Sequence, residues 1–580
     1  MSRIESSASG SAASSETAGR LTRRTFVARM AGAAAATMAG VAAGRAAQAK
    51  EASSAADGKA SAGASGAGDA ASATSADLIV VGAGAGGLAA AARAAQLGAS
   101  VIVLEAGSST GGTTKLSGGH WKYINDDFLS KLPARTDESD ATISEVLEWD
   151  PADFGDYADA CEKCQQDVTE YLASDDTLEF DSIEYWLCLH YLGTRGTSLG
   201  GVEARNDYDV VSPAYYNSAE VAEWVLSSGL EVSDPQPDNR GDGGPLSVEP
   251  VGQGFGLIQA LEGMATDAGA QIVLGAKATD LVTDASGRVS GVVADVDGTQ
   301  VTYSAGKGVL LACGGYASNG EMVAEQDMYT GIDDTAPSCE PAANDGTGIE
   351  MARTLGAATC NTEFVQFFGF PEEQMGSIES TIKLASASKV LVNSDGVRFC
   401  DDSKSFFGGG APSAVTAPCD QPSGRYVMLG DASAKESPML ADSYDDNVSS
   451  GVILEGDTVS AAAEAAGLDG GTVEQTVEQF NGYVDAGSDP DFGRDMSQAT
   501  KVDGAPYIAI RMAMYAQNTM GGVVIDDQGR VLSEDDQPIA GLYAAGEVTG
   551  NFDGICRRHG DNFAQILYYG YLVGTEVAQA

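Results

Sequence analysis

A Rossmann-like α/β fold is predicted by three neighbouring features of the 580-residue sequence. The first is Leu78–Val81, a short apolar run rich in β-branched residues, which is typical of a buried strand. The second is an Ala-rich helix through Leu97, which follows a G-x-G-x-x-G turn with the glycines Gly82, Gly84 and Gly87. The third is another apolar strand, Val101–Leu104, which ends at Glu105. These elements in this order predict that the chain binds a dinucleotide.

The residue types of this unit suit the chemistry of a dinucleotide. Glycine permits a tight turn and lets backbone N–H groups approach a pyrophosphate, which then lies at the positive end of the helix. Glu105 follows the turn at the spacing from which an acid accepts hydrogen bonds from a ribose diol. The alternative is a glycine-rich turn in an unrelated α/β unit, because a G-x-G-x-x-G pattern alone is weakly specific.

A second glycine-rich loop follows Glu105 and bears on which dinucleotide is bound. Its residues are Gly111, Gly112, Thr113, Thr114, Lys115, Leu116, Ser117, Gly118 and Gly119. The loop resembles the one that wraps the pyrophosphate and the flavin edge of FAD in the flavoproteins grouped with fumarate reductase, urocanate reductase and 3-oxosteroid 1-dehydrogenase. The resemblance implies FAD as the cofactor. It also implies non-covalent binding, since the flavin-linking histidine of membrane-bound relatives falls among Thr113 and Thr114, which cannot form that bond.

Further motifs of this family recur in the same order, so the resemblance covers residues 76–580. By resemblance they place an adenine contact at Ala278, a glycine turn toward FAD at Gly314 and the acid on the ribityl chain at Glu547. The last helix opens with Asn562 and Phe563, where backbone donors at a helix N-terminus stabilise negative charge on the flavin. The implied fold is a glutathione-reductase-type FAD-binding domain with an inserted α+β capping domain.

The predicted organisation has five segments, because a chain of this length exceeds what one core holds. Residues 1–49 are predicted to form a twin-arginine signal peptide, and residues 50–75 a flexible linker. Residues 76–349 and 506–580 are predicted to form the two parts of the FAD-binding domain. Residues 350–505 between them are predicted to form the capping, or substrate, domain.

The first segment carries the marks of export. Thr22–Val27 reads Thr-Arg-Arg-Thr-Phe-Val, a twin-arginine signal, and a mildly apolar stretch and the cleavage signal Ala47-Gln48-Ala49 follow it. The sequence therefore predicts export by the twin-arginine translocation (Tat) machinery to the periplasmic or extracytoplasmic cell-surface side. No later stretch offers about twenty unbroken apolar residues, so no transmembrane segment is expected in the mature form.

Composition restricts the partners. The formal charge of −50 argues against nucleic acid, and the acidity either keeps the surface soluble or attracts a cationic redox partner. No C-x-x-C-H motif occurs, so covalent c-type haem is excluded and the expected electron source is an external donor, a cytochrome or a quinol-linked protein. Three histidines and nine scattered cysteines indicate neither a His-rich metal site nor a disulfide framework.

The predicted substrate-binding residues depart from the fumarate-reductase pattern. By resemblance, Arg557 takes the place of the carboxylate-binding arginine, where a guanidinium can clamp a carboxylate or stabilise an enolate. Its alternative role is to pair with acids in a very acidic chain. Phe368 stands where relatives have one histidine of the site, and Asn518, before Thr519, stands where fumarate reductases have the second. These replacements argue against a fumarate site and favour an aromatic or alicyclic substrate.

The proton donor has several candidates. By resemblance it falls near Lys435, which could serve as an acid if desolvation lowers its pKa, or could be a solvated surface lysine. The groups that relay protons in the family fall at Asp402 and Phe406. His120 and His559 lie in flavin loops, and each is either a hydrogen-bond donor to the ring or a structural histidine.

The function expected from these observations is that of an exported FAD-dependent oxidoreductase acting on a carbon–carbon double bond. It would reduce an α,β-unsaturated acid or ketone other than fumarate, with electrons from a respiratory donor. One alternative is an FAD-dependent dehydrogenase of a ring ketone, of the 3-oxosteroid type. Another is a flavoprotein electron carrier without substrate chemistry.

Overall fold

The computed structural model describes residues 74–236, 246–372, 378–403, 412–558 and 560–580. The predicted signal peptide, nearly all of the predicted linker, Phe406 and His559 lie outside the described residues. The strands are β1 Ser75–Val81, β2 Val101–Glu105, β3 Gln271–Leu274, β4 Ala276–Thr283, β5 Val289–Val296, β6 Thr299–Leu311, β7 Thr359–Cys360, β8 Val365–Pro371, β9 Val390–Val392, β10 Arg425–Gly430, β11 Leu454–Gly456, β12 Tyr507–Thr519, β13 Gly522–Val523, β14 Arg530–Leu532 and β15 Pro538–Ala544.

The α-helices of the described chain include a run of seven between β2 and β3. They are α1 Ala85–Gln96, α2 Asp126–Leu129, α3 Asp137–Ser144, α4 Ala158–Leu172, α5 Ile183–Thr194, α6 Tyr208–Tyr216, α7 Ser218–Leu226, α8 Gln253–Asp267, α9 Gly320–Ala324, α10 Thr347–Arg353, α11 Ile378–Ala385, α12 Pro412–Cys419, α13 Tyr444–Ser449, α14 Val459–Ala465, α15 Gly470–Ala486 and α16 Asp561–Gln579. Within the described residues, no helix has the length and apolar character needed to cross a membrane.

The larger sheet has eight strands and mixed directions. Strands β14, β15, β6, β1, β2 and β3 lie side by side in that order, while β5 pairs with both β4 and β6. The contacts from β15 across to β3 are parallel, whereas β4, β5 and β14 pair antiparallel with their neighbours. Every residue of β2 is buried, which explains its unbroken apolar run. The predicted Rossmann-like α/β class is confirmed, with β15, β6, β1, β2 and β3 as the parallel part of the sheet.

Four of the parallel strands end at one edge of this sheet. β1 ends at Val81, β2 at Glu105, β6 at Leu311 and β15 at Ala544. The strands continue into linked loops, because the Gly82 N–H donates to the Leu104 carbonyl at 2.8 Å and the Ala312 N–H to the Val81 carbonyl at 2.8 Å. Ligands of open α/β sheets bind beyond the carboxyl ends of the strands. A ligand-binding site is therefore expected at this edge of the larger sheet.

Small residues bring α1 and α16 into close contact. Nearly all of the Ala-rich α1 is buried. A Cβ built on Gly570 would lie 2.4 Å from the Gly86 carbonyl oxygen, and one on Gly574 would lie 2.6 Å from the Ala90 carbonyl oxygen. Larger side chains at these places would force the helices apart. The composition of both helices thus sets how closely the last helix approaches the glycine turn.

A second, antiparallel sheet of five strands is built from β8 to β12. The long strand β12 pairs with β8, β10 and β11, and β9 pairs with β10. Val392, Val427 and Phe480 belong to an apolar cluster separate from the larger core. Most of this sheet falls within the predicted capping segment, although β12 lies beyond its expected end at residue 505. The domain boundaries themselves stay predictions.

Candidate active site

Loops at the carboxyl edge of the larger sheet enclose a cavity of about 460 Å³. Most of the predicted cofactor-binding residues line it, namely Gly82, Gly84, Glu105, Gly112, Thr113, Thr114, Lys115, Ser117, Ala278, Gly314, Glu547, Asn562 and Phe563. The predicted substrate residues Arg557 and Asn518 line the same cavity. Segments from both ends of the described chain therefore meet in one site.

Each glycine of the first turn has its own geometric role. Gly82 has a φ of +101°, and a Cβ on it would lie 2.3 Å from the Ala312 carbonyl oxygen. A Cβ on Gly87 would lie 2.0 Å from the Gly82 carbonyl oxygen, so this glycine lets α1 pack on the turn. Gly84 has an extended backbone, and a Cβ on it would meet nothing within 4 Å. The missing side chain of Gly84 therefore leaves room for a ligand at the N-terminus of α1.

Glu105 is a buried carboxylate that still has acceptor capacity. Its Oε2 accepts a hydrogen bond from the Ala83 N–H at 2.8 Å, and its Oε1 accepts one from the Gly107 N–H at 2.7 Å. A carboxylate oxygen has two acceptor positions. Each oxygen of Glu105 can therefore also accept from a ribose hydroxyl, which fits the role expected from its place after β2.

The second glycine-rich loop folds back on the first turn. The Gly111 N–H donates to the Ala83 carbonyl at 2.9 Å, and a short 3-10 helix covers Thr114–Leu116. Lys115 Nζ donates to Ser109 Oγ at 2.7 Å. Among the described residues, four predicted cofactor-binding glycines do not line the cavity: Gly87, Gly111, Gly118 and Gly119. Gly111 and Gly119 have positive φ values of +113° and +76°, so they shape the loop rather than line the site.

Glu547 is half-buried against the Gly314 turn. Its Oε1 accepts hydrogen bonds from the Thr519 N–H at 2.9 Å and from Thr519 Oγ1 at 3.0 Å, and its Oε2 accepts one from Asn344 Nδ2 at 2.8 Å. Burial raises the pKa of Glu547 above its ordinary value, against these hydrogen bonds. A Cβ on Gly315 would lie 1.9 Å from Thr519 Oγ1, so glycine is required beside this carboxyl group.

Asn562, at the start of α16, supplies a test of whether FAD fits the cavity. Its Oδ1 is buried and has no hydrogen-bond partner among the described residues. Asn562 also lines the cavity. An unpaired buried acceptor carries a large free-energy penalty, and N–H or O–H groups of a bound dinucleotide would remove it. Together with the open space at Gly84 and the spare capacity of Glu105, this acceptor fits FAD.

Arg557 lines the cavity, and its guanidinium is hydrogen-bonded to neutral side chains. Its Nε donates to Gln366 Oε1 at 3.2 Å, and its Nη2 donates to Gln517 Oε1 at 3.1 Å. Among the described residues, no carboxylate forms an ion pair with this half-buried guanidinium. The alternative role of Arg557, pairing with acids of the chain, therefore has no ion pair to support it among the described residues, and its charge is available to an anionic ligand. Gln517, which sequence reasoning missed, directly precedes Asn518 in β12.

The predicted substrate residues on β8 and β12 occupy different environments. Asn518 lies opposite Gln366 in the sheet and lines the cavity. Thr519 is buried and binds Glu547, so it supports the carboxyl group instead. Phe368 is buried in an aromatic cluster with Phe370 and Tyr515 and is not among the described residues that line the cavity. Strand alternation nevertheless places it on the β8 face that carries Gln366.

Lys435 lies outside the cavity, which contradicts its predicted place as a proton donor. Its side chain is 45% exposed, and its Nζ lies 3.2 Å from Glu455 Oε1 and 4.8 Å from the centre of the Tyr444 ring. The solvated alternative therefore describes this residue. Asp402 is buried but is committed elsewhere, because it accepts hydrogen bonds from Arg398 Nε at 2.8 Å and from the Leu391 N–H at 2.7 Å.

His190 has a role that sequence reasoning missed. Its Nε2 lies 3.0 Å from the Phe552 carbonyl, so this nitrogen carries a proton. Its Nδ1 lies 3.0 Å from Asp561 Oδ2 and 2.8 Å from the Tyr215 hydroxyl. His190 thereby ties together both ends of the segment that carries Arg557. Of the other histidines, His120 has its Nδ1 3.6 Å from Glu249 and lies outside the cavity lining.

The parallel sheet, the glycine turn and this cavity define the class of the FAD-dependent oxidoreductases. A family model described as "FAD binding domain" matches residues 77–562, and the chain belongs to that family.

Among its relatives, the chain is 28% identical to an NADH:acrylate oxidoreductase of Vibrio harveyi, over 86% of this chain and 50% of the relative. It is 26% identical to a urocanate reductase of Eggerthella lenta, over 87% of this chain and 74% of the relative. The chain thus spans half the length of the first of these proteins. Among solved structures, the open conformation of a flavocytochrome c3 fumarate reductase matches with a TM-score of 0.66 and 24% identity, over 87% of this chain and 78% of that one. This last likeness concerns the fold.

Proposed function

We propose that this chain is an exported FAD-dependent enzyme that reduces the activated carbon–carbon double bond of an α,β-unsaturated acid or ketone other than fumarate. The observation that carries the proposal is Arg557, a guanidinium that lines the FAD cavity and is held only by glutamine oxygens among the described residues. The names of the acrylate and urocanate enzymes support it, because both compounds are α,β-unsaturated carboxylates.

The electrostatics around Arg557 favour an anionic substrate group. The chain has a formal charge of −50, so an anion is repelled by most of its surface. Arg557 and the N-terminus of α16 are positive features at the cavity. Because the Arg557 partners are neutral amides, its charge is not cancelled and can form charge-assisted hydrogen bonds with a carboxylate or carbonyl oxygen.

The residues of the chain bind, orient and polarise the substrate. Bound FAD supplies the hydride. Arg557 holds the carboxylate or carbonyl and stabilises the negative charge that develops there during reduction. Gln366 and Gln517 fix the orientation of the guanidinium from two strands of the second sheet. Preorganised donors of this kind contribute most when the site excludes water.

The substrate is proposed to be larger and less polar than fumarate. A fumarate site needs groups for two carboxylates, and the positions of both family histidines hold Phe368 and Asn518. Asn518 offers a neutral amide to the cavity, and Phe368 lies with Phe370 and Tyr515 on the second sheet. One guanidinium and one neutral amide at the cavity suit a monoacid or ketone better than a dicarboxylate, and the loss of both histidines makes the site less polar.

The cofactor linkage, the electron donor and the location complete the proposal. FAD is proposed to bind non-covalently, since the loop offers Thr113 and Thr114 where a linking histidine would stand. Acid precipitation should then release all of the flavin into the supernatant.

The protein is proposed to be exported by the Tat machinery. Once exported, it is proposed to receive electrons from an external cytochrome or quinol-linked protein. Replacing Arg23 and Arg24 with lysine should retain the protein in the cytoplasm.

The function is tested by anaerobic reoxidation of the flavin. The protein is reduced with dithionite and mixed with cinnamates, acrylate, urocanate, fumarate or cyclic enones while flavin absorbance is followed. One enoate or enone should restore the oxidised spectrum rapidly, and fumarate should not. Arg557→Ala should abolish this response. The matched control is Arg353→Ala, because Arg353 pairs with Glu350 on an exposed helix face and should not affect the rate.

Each alternative function has its own outcome in this assay. Flavin reduction by a saturated ring ketone, without reoxidation by any alkene, would establish the dehydrogenase of the 3-oxosteroid type. A reducible flavin that responds to neither kind of compound would establish an electron carrier. An enoate response that persists in Arg557→Ala would contradict the role given to this arginine.

A further inference from the structure

Reduction of a double bond requires a proton as well as a hydride, and Lys435 lies outside the cavity. Glu340, which no sequence motif singled out, is not itself among the described residues that line the cavity, but its carboxyl group contacts one that is, Thr113. Its carboxyl group accepts a hydrogen bond from Thr113 Oγ1 in the second glycine-rich loop. The residues that follow it directly, 341–345, line the cavity. Glu340 therefore adjoins the cavity lining in two ways, through its contact with Thr113 and through the residues that follow it in the chain.

The backbone of Glu340 holds the side chain in this position. Its N–H donates to Ser338 Oγ at 3.0 Å, and its carbonyl accepts from Ser318 Oγ at 3.1 Å. The preceding Cys339 N–H donates to the Ala516 carbonyl at 3.1 Å, directly before the glutamine that binds Arg557. The segment thus runs beside the strand that positions the substrate-binding guanidinium.

We propose that Glu340 is the acid that protonates the substrate carbon, an assignment that rests on the proposed reduction of an activated double bond. The hydride forms a C–H bond at the β carbon. The π electron pair moves to the α carbon, next to the carbonyl or carboxylate held by Arg557. That carbon takes the proton from the Glu340 carboxyl group, whose O–H bond breaks. Glu340 is left as a carboxylate and takes a proton from water before the next turnover.

The surroundings of Glu340 favour its protonated form. Removal from water and the nearby Glu547 carboxyl group raise the pKa of Glu340 well above its usual range, while Thr113 and Arg557 act in the opposite direction. Burial also raises the pKa of Glu547, so the two neighbouring acids do not readily ionise together. A neutral Glu340 leaves the charge of Arg557 available to the substrate. Ionisation of Glu340 would both remove the proton and oppose that charge.

The test compares Glu340→Gln and Glu340→Asp with the wild type and with Glu372→Gln. Glu372 is a half-buried acid that binds Arg425 Nε at 2.7 Å and serves as the matched control. FAD content is measured by absorbance, and reoxidation of the reduced protein by an active enoate is followed by stopped flow. Loss of a general acid is expected to slow reoxidation by about 10²–10⁴-fold. Glu340→Asp should keep part of the wild-type reoxidation rate. Glu372→Gln should reoxidise at the full wild-type rate.

Two readouts separate proton donation from a structural role. The wild-type reoxidation rate should fall as the pH rises through the pKa of Glu340, whereas the residual rate of Glu340→Gln should lack this decline. Infrared spectroscopy of the FAD-loaded protein, without substrate, should detect the carbonyl stretch of a protonated carboxyl group that Glu340→Gln removes or weakens. This second readout does not depend on turnover.

Three outcomes would overturn the assignment. A Glu340→Gln rate near that of the wild type would show that another group donates the proton. Loss of FAD or of binding of the saturated product in Glu340→Gln would assign Glu340 to holding the loop. If no alkene reoxidises the wild-type protein, the proposed function fails and the role of Glu340 fails with it. An active wild type with an equally active Glu340→Gln variant overturns the Glu340 assignment alone.

Discussion

Gly84→Ala and Gly87→Ala should separate the two roles of the glycine turn. A Cβ on Gly87 would lie 2.0 Å from the Gly82 carbonyl oxygen and 3.0 Å from Val80 Cγ1, and the nearer atom belongs to backbone, so α1 must shift. Such overpacking costs about 3 kcal/mol. The better helix propensity of alanine offsets about 1 kcal/mol. The apoprotein should therefore lose about 2 kcal/mol of unfolding free energy.

Gly84→Ala should spare the fold and weaken FAD binding. A Cβ on Gly84 would meet no protein atom within 4 Å, and its φ of −74° is open to alanine. The unfolding free energy of the apoprotein should change by less than about 0.5 kcal/mol. The methyl group would take the space that a pyrophosphate needs at the N-terminus of α1. The Kd for FAD should rise at least about tenfold, which corresponds to about 1.4 kcal/mol.

The assays are a thermal melt of the apoprotein and a titration of FAD followed by flavin fluorescence. Gly263→Ala is the matched control, since Gly263 lies in α8 and a Cβ on it would also meet nothing within 4 Å. This control should neither lower the Tm nor weaken FAD binding. Wild-type FAD affinity in Gly84→Ala, or a Tm for Gly87→Ala equal to that of the control, would refute the division of roles.

Three other predictions concern buried and exposed charges. Burial raises the pKa of Asp553 from 3.8 to about 6. The folded state therefore binds this proton more tightly than the unfolded state, and the resulting stability is present below pH 3.8 and lost as the pH rises through about 6. At pH values above about 6, Asp553→Asn should raise the unfolding free energy by up to roughly 3 kcal/mol, which would be seen as a higher Tm. At pH 3 the substitution should bring no gain. Asp402→Asn should lower the Tm, because it weakens the buried pairing of Arg398 and Arg494 at a cost of about 3 kcal/mol, while the flavin spectrum is retained. Lys435→Gln should leave the reoxidation rate unchanged, because the side chain is exposed and outside the cavity lining. A large decrease in the reoxidation rate measured by stopped flow would instead indicate that Lys435 takes part in catalysis.

The dinucleotide-binding unit could be predicted because its signals are local. The run Leu78–Val81, the glycine turn and the Ala-rich helix each reflect how neighbouring residues restrict the backbone, and β1 and α1 appear within a few residues of their expected bounds. Glu105 could be placed as well, because it ends a strand whose carboxyl edge forms the site in folds of this class.

The substrate side could be predicted only in part. Arg557 was found from its motif, and it lines the cavity, but its glutamine partners lie on β8 and β12, about 190 and 40 positions away in the chain. No periodicity in the sequence indicates that residues so far apart in the chain contact each other. The same holds for Lys435, whose place by resemblance suggested a role that the exposed ion pair with Glu455 does not support.

The sequence by itself determined the fold class, the glycine turn and the second flavin loop, and most of the cofactor-binding residues that it predicted line the cavity, because these features depend on local backbone geometry and on motifs of fixed spacing. Only the tertiary structure decided which charges remain available in the site. It set two neutral glutamines against Arg557, brought Glu340 to Thr113, and enclosed His190 between Phe552 and Asp561. The physical reason is that the protonation and pairing of a charged group depend on burial and on neighbours that folding brings together from distant parts of the chain.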